Sequence, residues 1–196
     1  MTYLGERTLA SLSESRKSRR VLDTIWDNNF VKGVLEDGQW SFGKRRVMSD
    51  YDPDYETEFG YARKHTIPDD FVRLTGISVS EFFHDPLVLY EFKDSIYTDH
   101  DTIYLEYVSD GSTFGGDLSK WPENVVAYAE VKLARLAYLS ISRDKEYLAT
   151  LRKQEKDLLI QAQSMDNMQD ATKFRPVSSW LRSRRAGRTY SGSTSS

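Results

Sequence analysis

The hydrophobic pattern changes its period twice along this chain of 196 residues, and no other feature of the sequence restricts the possible folds as much. Up to about residue 35, apolar side chains are spaced three or four residues apart, as on one face of a helix. Between residues 59 and 108 they alternate with polar ones, which is typical of half-buried antiparallel strands. Helical spacing returns after Trp121-Pro122. The pattern predicts an α+β fold, a helical bundle with a small antiparallel β-sheet domain inserted between its second and third helices.

Two helices are predicted before the sheet. Ser11-Leu12-Ser13-Glu14 matches a capping box that would open the first helix, and Asn28-Asn29 would end it. The predicted buried face of this helix holds Leu22, Ile25 and Trp26. A shorter helix is predicted from Phe30 to Leu35, after which Trp40 and Phe42 would bring two aromatic side chains into the core.

The predicted sheet follows an acidic loop. Residues 49 to 58 contain five carboxylates around Pro53 and no apolar period, which predicts an exposed loop. Alternating apolar residues then mark three strands, Phe59-Tyr61-Arg63-His65-Ile67, Val88-Tyr90-Phe92 and Ile103-Leu105-Tyr107. We therefore expect residues 59 to 108 to form a small sheet.

Two further helices are predicted after the sheet. The first starts at Glu123 and places its core stripe at Val126, Ala129, Leu133, Leu136, Ala137 and Ser140. Its other faces are also apolar, so it should lie between other elements. The second runs from about Asp144 to Met165 with a cleaner apolar stripe. Trp121 is expected to pack between the sheet and the first of these helices.

These patterns divide the chain into four parts. Residues 1–48 are predicted to form the N-terminal helices of the bundle, and residues 49–118 the inserted antiparallel β domain. Residues 119–170 are predicted to form the C-terminal helices of the bundle. Residues 171–196 form a basic C-terminal arm, which is expected to extend away from the body.

The arm differs from the body in charge. It carries six cations and no carboxylate, whereas the other 170 residues hold 21 Lys and Arg against 30 Asp and Glu. A basic segment on an acidic body is suited to contact an anionic surface, either nucleic acid or an acidic protein. Phe174 and Trp180 add aromatic anchors, and tryptophan is enriched at binding hot spots. The alternative is a solvated tail that only improves solubility.

Candidate metal sites in the sequence lack ligands that their chemistry needs. Asp50-x-Asp52-x-Asp54 begins like a calcium loop, but Tyr55 stands where a glycine is required and Tyr61 where a bidentate glutamate is required. His84-Asp85 and His100-Asp101 resemble pairs found in metal-dependent hydrolases, yet only His65 remains as a further histidine ligand. The sequence therefore predicts no metal site.

Catalytic and membrane motifs are also missing. No serine lies in a Gly-x-Ser-x-Gly elbow, and no glycine-rich phosphate loop precedes a Lys-Ser or Lys-Thr pair. Asp69-Asp70 could be a carboxylate pair, but a turn in which an aspartate caps the following segment explains it better. The chain has no cysteine, no secretory signal and no run of 18 apolar residues. We expect a protein that is not an enzyme, has no cofactor and does not bind a membrane.

Five landmarks follow one another along the chain. They are Trp40-Ser41-Phe42-Gly43-Lys44-Arg45, Phe59-Gly60-Tyr61-Ala62, Ile67-Pro68-Asp69-Asp70-Phe71-Val72-Arg73, Ile103-Tyr104-Leu105-Glu106-Tyr107, and Trp121-Pro122 followed by the Ala/Leu-rich segment Ala129 to Leu139. In this order they resemble the head-to-tail adaptor family of tailed bacteriophages known as tail tubular protein A, over roughly Ser11 to Ala171. The N-terminus departs from that pattern, since Ser11 to Arg20 replaces an alanine-rich start. Whether the parent virus has a short or a longer tail stays open.

The resemblance implies a structural virion protein at the head-tail interface, present in the host cytoplasm during assembly. It implies a ring of twelve copies that closes the filled head, binds the portal protein, carries the next tail component or nozzle, and lets viral DNA pass. The sheet would face the tail while the arm reaches the portal. The portal-binding candidates are Phe174, Arg175, Trp180, Arg182, Arg184, Arg185 and Arg188. The alternative is a nucleic-acid-binding protein that uses the arm on phosphates, with a log-log salt slope of roughly −5.

Overall fold

The computed structural model describes residues 17–57, 59–141 and 145–169. In chain order its helices and strands are α1 (Lys17–Asp27), α2 (Phe30–Glu36), β1 (Lys44–Asp50), β2 (Arg63–His65), β3 (Phe71–Ser78), β4 (Glu91–Phe92), β5 (Ile96–Thr98), β6 (Thr102–Ser109), α3 (Glu123–Ile141) and α4 (Lys145–Gln169). Single 3₁₀ turns precede β1, at Ser41–Gly43, and α3, at Leu118–Lys120. Within the described residues every strand lies between α2 and α3, and the α+β class predicted from the sequence is confirmed.

The strands form two antiparallel three-stranded sheets. One has the order β1-β6-β3 and the other the order β2-β5-β4. Successive side chains of a strand point to opposite faces, so Ile103, Leu105 and Tyr107 of β6 share one face. These three are fully buried in one core cluster with Ile77 of β3 and Ile96 of β5. The two sheets therefore pack against each other through this face of β6.

The helices cover the opposite face of β6 at one end. Val108 is buried there in a core cluster whose other fully or nearly buried members come from α2, α3, α4 and the segment before β1: Phe30, Val34, Leu35, Trp40, Val125, Tyr128, Ala129 and Ala162. The indole Nε1 of Trp40 donates to the carbonyl oxygen of Val34 at 2.9 Å, so its buried N–H is paired. Helices and sheet therefore share a core at this junction.

Polar contacts fix α4 to the segment between α2 and β1. The carboxylate of Asp166, buried on α4, accepts hydrogen bonds from the backbone N–H and the hydroxyl of Ser41 at 3.0 and 2.6 Å. Asp37 accepts from the buried Tyr128 hydroxyl at 2.5 Å and pairs with Lys132. Burial and then the bond to Asp37 raise the pKa of Tyr128. These contacts hold α3 and α4 in one position relative to the sheet.

His65 connects the two sheets. Its imidazole is fully buried, with Nδ1 3.1 Å from the carbonyl oxygen of Ser49 on β1 and Nε2 3.0 Å from that of His100, between β5 and β6. Both partners are carbonyl acceptors, so an N–H of the ring can donate to either of them. This histidine therefore has a structural position in the sheet.

The predicted helices lie close to where the structure places them, with two corrections. Ser11 to Glu14, the predicted helix start, falls outside the described residues. Trp26 was predicted to be buried but is 43% exposed, and Phe30 is its aromatic contact within the described residues. On α3, Val126 and Leu136 of the predicted core stripe are exposed, and the buried face is shifted to Val125, Tyr128, Ala129, Val131, Ala134, Ala137 and Tyr138.

The strands are less well predicted than the helices. β6 is confirmed, but the strand predicted from Phe59 to Ile67 is reduced to three residues, and the one predicted from Val88 to Phe92 to two. Ser49 and Asp50 belong to β1 rather than to the predicted acidic loop, because β1 pairs with β6 along its whole length. Strand β3 was not predicted at all. It pairs with β6 on the other side and is interrupted by two register shifts.

Candidate interaction surfaces

The predicted portal-binding residues lie outside the described part of the chain. This holds for all seven of them, Phe174, Arg175, Trp180, Arg182, Arg184, Arg185 and Arg188. The described residues do show where the five landmarks are placed and which surfaces are left exposed.

Asp70 is the centre of a hydrogen-bond network between three landmarks. Its carboxylate accepts from the Tyr107 hydroxyl at 2.8 Å, from the Ser109 hydroxyl at 2.5 Å and from Arg45 Nη1 at 2.6 Å. The adjacent Phe71 ring lies 5.4 Å from the Tyr107 ring, measured between centroids. The turn predicted here is present, since the N–H of Phe71 bonds the Pro68 carbonyl oxygen. However, the Asp70 side chain bonds β1 and β6 instead of capping its own segment.

The network perturbs the titration of its members. Burial alone would raise the pKa of Asp70, but the bonds from Ser109, Arg45 and Tyr107 outweigh burial and hold the pKa below its ordinary value. Burial, followed by the bond to Asp70, raises the pKa of Tyr107, and that same carboxylate raises the pKa of Arg45. The carboxylate is thus kept ionised and the phenol neutral.

A cleft of about 470 Å³ opens beside this network. Its lining residues are Arg45, Pro68, Asp69, Asp70, Gly111, Ser112, Thr113 and Phe114. A general acid or base needs a proton that it can give or a lone pair that it can offer to a substrate. Both oxygens of Asp70 already accept bonds from protein groups, and Asp69 is exposed and does not belong to the network. The arrangement is that of a structural carboxylate.

Three aromatic landmark residues also contact one another. The rings of Trp40 and Phe42 stack at 6.2 Å, and Phe42 lies 5.8 Å from Trp121. Trp121 is half-buried, and its Nε1 donates to the carbonyl oxygen of Gly115 at 2.8 Å. It therefore packs at the transition from the sheet to α3, as expected from its position.

Two carboxylates of the acidic segment are engaged by protein groups. Asp50 accepts from the Thr102 hydroxyl at 2.7 Å, and Asp52 lies 3.8 Å from Lys64 Nζ. Among the described residues, no group of three or more histidine, aspartate, glutamate or cysteine side chains is arranged to hold a metal ion.

An exposed apolar surface lies on the hairpin between β3 and β4. We call Val79, Phe82, Val88 and Leu89 the hairpin surface; Phe82, Val88 and Leu89 are 67%, 77% and 74% exposed. The hairpin closes through a bridge between Ser78 and Pro86 and a bond from the Val79 N–H to the Asp85 carbonyl oxygen. This surface was not predicted from the sequence. Two adjacent phenylalanines between Glu81 and the turn residues His84-Asp85 could have indicated it.

A second exposed surface runs along α4. Residues four apart share a helix face, and Arg152, Lys156, Ile160, Ser164 and Met168 follow this spacing. All five are exposed, and we call them the α4 stripe. Neither cation of the stripe forms an ion pair within the described part of the chain. The predicted solvated side of this helix is thus exposed, but it also carries two large apolar side chains.

None of the helices in the described ranges is both long enough and apolar enough to cross a bilayer. Comparison of the sequence with models of known protein families and with curated proteins finds no match.

Proposed function

We propose that this chain is a structural virion protein, the head-to-tail adaptor of a tailed bacteriophage. In this role it forms a ring between the portal and the tail, closes the DNA-filled head, and provides the platform on which the next tail component assembles. The observation that carries the proposal is that landmarks distant in sequence contact one another in space. Contacts between landmarks indicate that they belong to one folded unit. Their order along the chain resembles that of the adaptor family.

The contacts join four of the five landmarks in two groups, which the bond between Arg45 and Asp70 links to each other. The Pro68-Asp69-Asp70-Phe71 landmark meets the β6 landmark through the Asp70 hydrogen bond and the Phe71 ring, both to Tyr107. The Trp40-Ser41-Phe42 landmark meets Trp121 through stacked and tilted rings. The first group lies between the two sheets and the second between the helices and the sheet, so a substitution in either would disturb the fold. This supports a structural role for the landmarks and is unlike a catalytic constellation, whose members must be free to reach a substrate.

In the proposed architecture the helices act as a bundle, the two small sheets are inserted into it, and the arm extends from the end of α4. In a ring, each copy contacts one neighbour through one surface and the other neighbour through a second, different surface. This heterologous contact repeats around a closed axis. The net charge of the body, nine negative charges, disfavours close approach of copies at low salt, so we expect the isolated chain to be a monomer or a loose oligomer. The portal would then drive ring closure.

The arm is the proposed contact to the portal. Its arginines can make bidentate hydrogen bonds to portal carboxylates, and Trp180 can act as a desolvated anchor worth about 2 kcal/mol or more. The test is deletion of Ala171–Ser196 followed by sedimentation of the protein with the portal of the same phage. We expect the truncated chain to keep its circular dichroism spectrum and melting temperature and to lose attachment.

Two variants of the arm separate charge from anchoring. Replacing Arg182, Arg184 and Arg185 by alanine should slow association and flatten its salt dependence, whereas Trp180→Ala should speed dissociation. Truncated protein that binds the portal as tightly as the full chain would remove the arm from the proposal. An electrophoretic shift of duplex DNA with strong salt dependence, without portal binding, would favour the nucleic-acid-binding alternative.

A further inference from the structure

We propose that neighbouring copies of this chain contact each other through the hairpin surface of one copy and the α4 stripe of the next. The inference rests on the proposed ring, and it names the two surfaces that the ring would join. Each is exposed in the single chain, so neither covers the other within one copy.

The hairpin holds its exposed phenylalanine outward at the expense of backbone strain. Phe83 has a φ of 56°, in the left-handed region that bulky residues rarely adopt. Its side chain is buried, with the Arg46 guanidinium 5.1 Å from the ring centroid, and Arg46 also pairs with the buried Glu106 at 2.7 Å. Phe83 thus anchors the hairpin on the first sheet while Phe82 points to solvent. Strain retained next to an exposed aromatic side chain suggests that this side chain has a partner.

The charge around the hairpin surface indicates the kind of partner. Between residues 79 and 94 there are four carboxylates, Glu81, Asp85, Glu91 and Asp94, and one cation, Lys93. All five are exposed, and Lys93 is already paired with Glu91 at 2.7 Å. The partner should therefore combine apolar side chains with positive charge.

The α4 stripe has this combination. Arg152 and Lys156 supply the positive charge, and Ile160 and Met168 supply large apolar side chains that are 56% and 83% exposed. The stripe contains no carboxylate. It is a straight, regular face, which suits a short hairpin that presents its apolar side chains from one side.

Opposite charge selects the pairing of different surfaces over self-pairing. Two hairpin surfaces brought together would place like carboxylates side by side, and two α4 stripes would do the same with cations. Pairing one hairpin surface with one α4 stripe avoids both. Such a contact is heterologous, which is the type that a ring needs and a two-fold dimer does not.

The absence of cysteine from the sequence makes this contact testable by crosslinking. Leu89→Cys and Ile160→Cys would be made in separate chains of different mass, mixed with the portal of the same phage so that rings can form, and treated with a short bismaleimide. Both positions are exposed, so neither substitution should unfold the protein. A mixture of Leu118→Cys with Ile160→Cys is the matched control, since Leu118 is also exposed but lies outside the hairpin surface.

The expected product is a dimer of one Leu89→Cys chain with one Ile160→Cys chain. It should exceed the control by about ten-fold or more, because a specific contact raises the effective concentration of the two thiols. Glu81→Lys/Asp85→Lys should abolish the excess, and Arg152→Glu/Lys156→Glu in the partner should restore it. A yield no higher than the control, or Leu89→Cys chains that crosslink to each other equally well, would overturn the inference. Rings seen with the portal but without this crosslink would leave the adaptor proposal standing.

Discussion

Replacing Asp70 by asparagine is the most direct perturbation of the contacts between landmarks. The substitution keeps the shape of the side chain and removes its charge. Three donors now converge on the carboxylate, from Arg45, Tyr107 and Ser109. Arg45 and Ser109 bond the same oxygen, so an asparagine oxygen placed there can still accept from both, and its amide can donate to the Tyr107 hydroxyl.

The expected loss follows from the change in bond type. A hydrogen bond to a charged group contributes about 1.5 to 3 kcal/mol and a neutral one about 0.5 to 1.5 kcal/mol. The Asp70 side chain is 20% exposed and that of Arg45 39%, so the Arg45 bond is partly screened by solvent and its share is small. We expect Asp70→Asn to lower the free energy of unfolding by about 2 kcal/mol. Asp70→Ala should cost about 4 kcal/mol, because it leaves the buried Tyr107 and Ser109 hydroxyls without an acceptor.

The pH dependence gives a second, independent signature. The folded-state pKa of Asp70 is lowered, so its ionised form stabilises the native state above the unfolded pKa of about 4. That contribution is lost as the pH falls through the folded pKa, where the wild-type side chain becomes neutral. The difference between wild type and Asp70→Asn should therefore be full at neutral pH and should shrink in acid.

Urea denaturation at neutral and acidic pH measures both quantities. Asp69→Asn is the matched control, since Asp69 is the exposed neighbour of the same chemical type and should change stability by less than about 0.5 kcal/mol. The reasoning is refuted if Asp70→Asn is as stable as wild type at neutral pH, or if the two asparagine variants lose the same amount.

Five further substitutions test the core, the hairpin and the contact between the two sheets by their effect on the free energy of unfolding. Trp40→Ala should lower the free energy of unfolding by about 4 kcal/mol and Trp121→Ala by about 3 kcal/mol, because Trp40 is fully buried and Trp121 only partly; the reverse order would contradict this. Phe83→Ala should cost about 3 kcal/mol and Phe82→Ala under about 0.5 kcal/mol, so equal losses would show that the hairpin is not anchored by Phe83. His65→Ala should cost about 2 kcal/mol or more and increase amide hydrogen exchange in β2, and unchanged exchange there would rule out its role in joining the sheets.

The helices and β6 were predictable because their own side chains carry the signal. β6 alternates Ile103, Leu105 and Tyr107 on one face, and that face is fully buried. The other face of β6 is also buried, at Glu106 and Val108. The sequence does not indicate this, because a charged residue such as Glu106 is expected to be exposed. The carboxylate of Glu106 is buried because Arg46 and Thr75 bond it at 2.7 and 3.0 Å, and both partners are distant in sequence.

Strands β1 and β3 could not be predicted because their partners determine them. β1 contains Val47 and Met48 as its apolar residues and carries charges on most others. It is a strand because it pairs along its whole length with β6. In β3 the two register shifts break the alternation on which strand prediction depends. Similarly, α3 is apolar on several faces, and the sequence alone does not distinguish a stripe through Val126 from one through Val125.

Phe82 and Phe83 show why the candidate surface was harder to predict than the fold. The two residues are identical in type and adjacent in the chain, yet one is buried and the other is 67% exposed. The left-handed backbone of Phe83 makes the difference, and no side-chain pattern encodes it. The sequence therefore shows that two adjacent phenylalanines are present, but it does not show which of the two is exposed and available to a partner.

The landmarks and the exposed surfaces have complementary roles in the proposal. Asp70, Tyr107, Trp40 and Trp121 are engaged with other parts of the same chain, so they can specify a fold but have little left to offer a partner. What the chain offers to partners must then lie where the landmarks are absent, on the hairpin surface, the α4 stripe and the basic arm. The signs of charge on these three regions are negative, positive and positive. Two positive regions cannot both occupy the hairpin surface of one neighbour, which is surrounded by carboxylates. If the α4 stripe takes that place, the arm is left to bind an acidic surface elsewhere, and the portal contact and the contact between copies become separable by mutation.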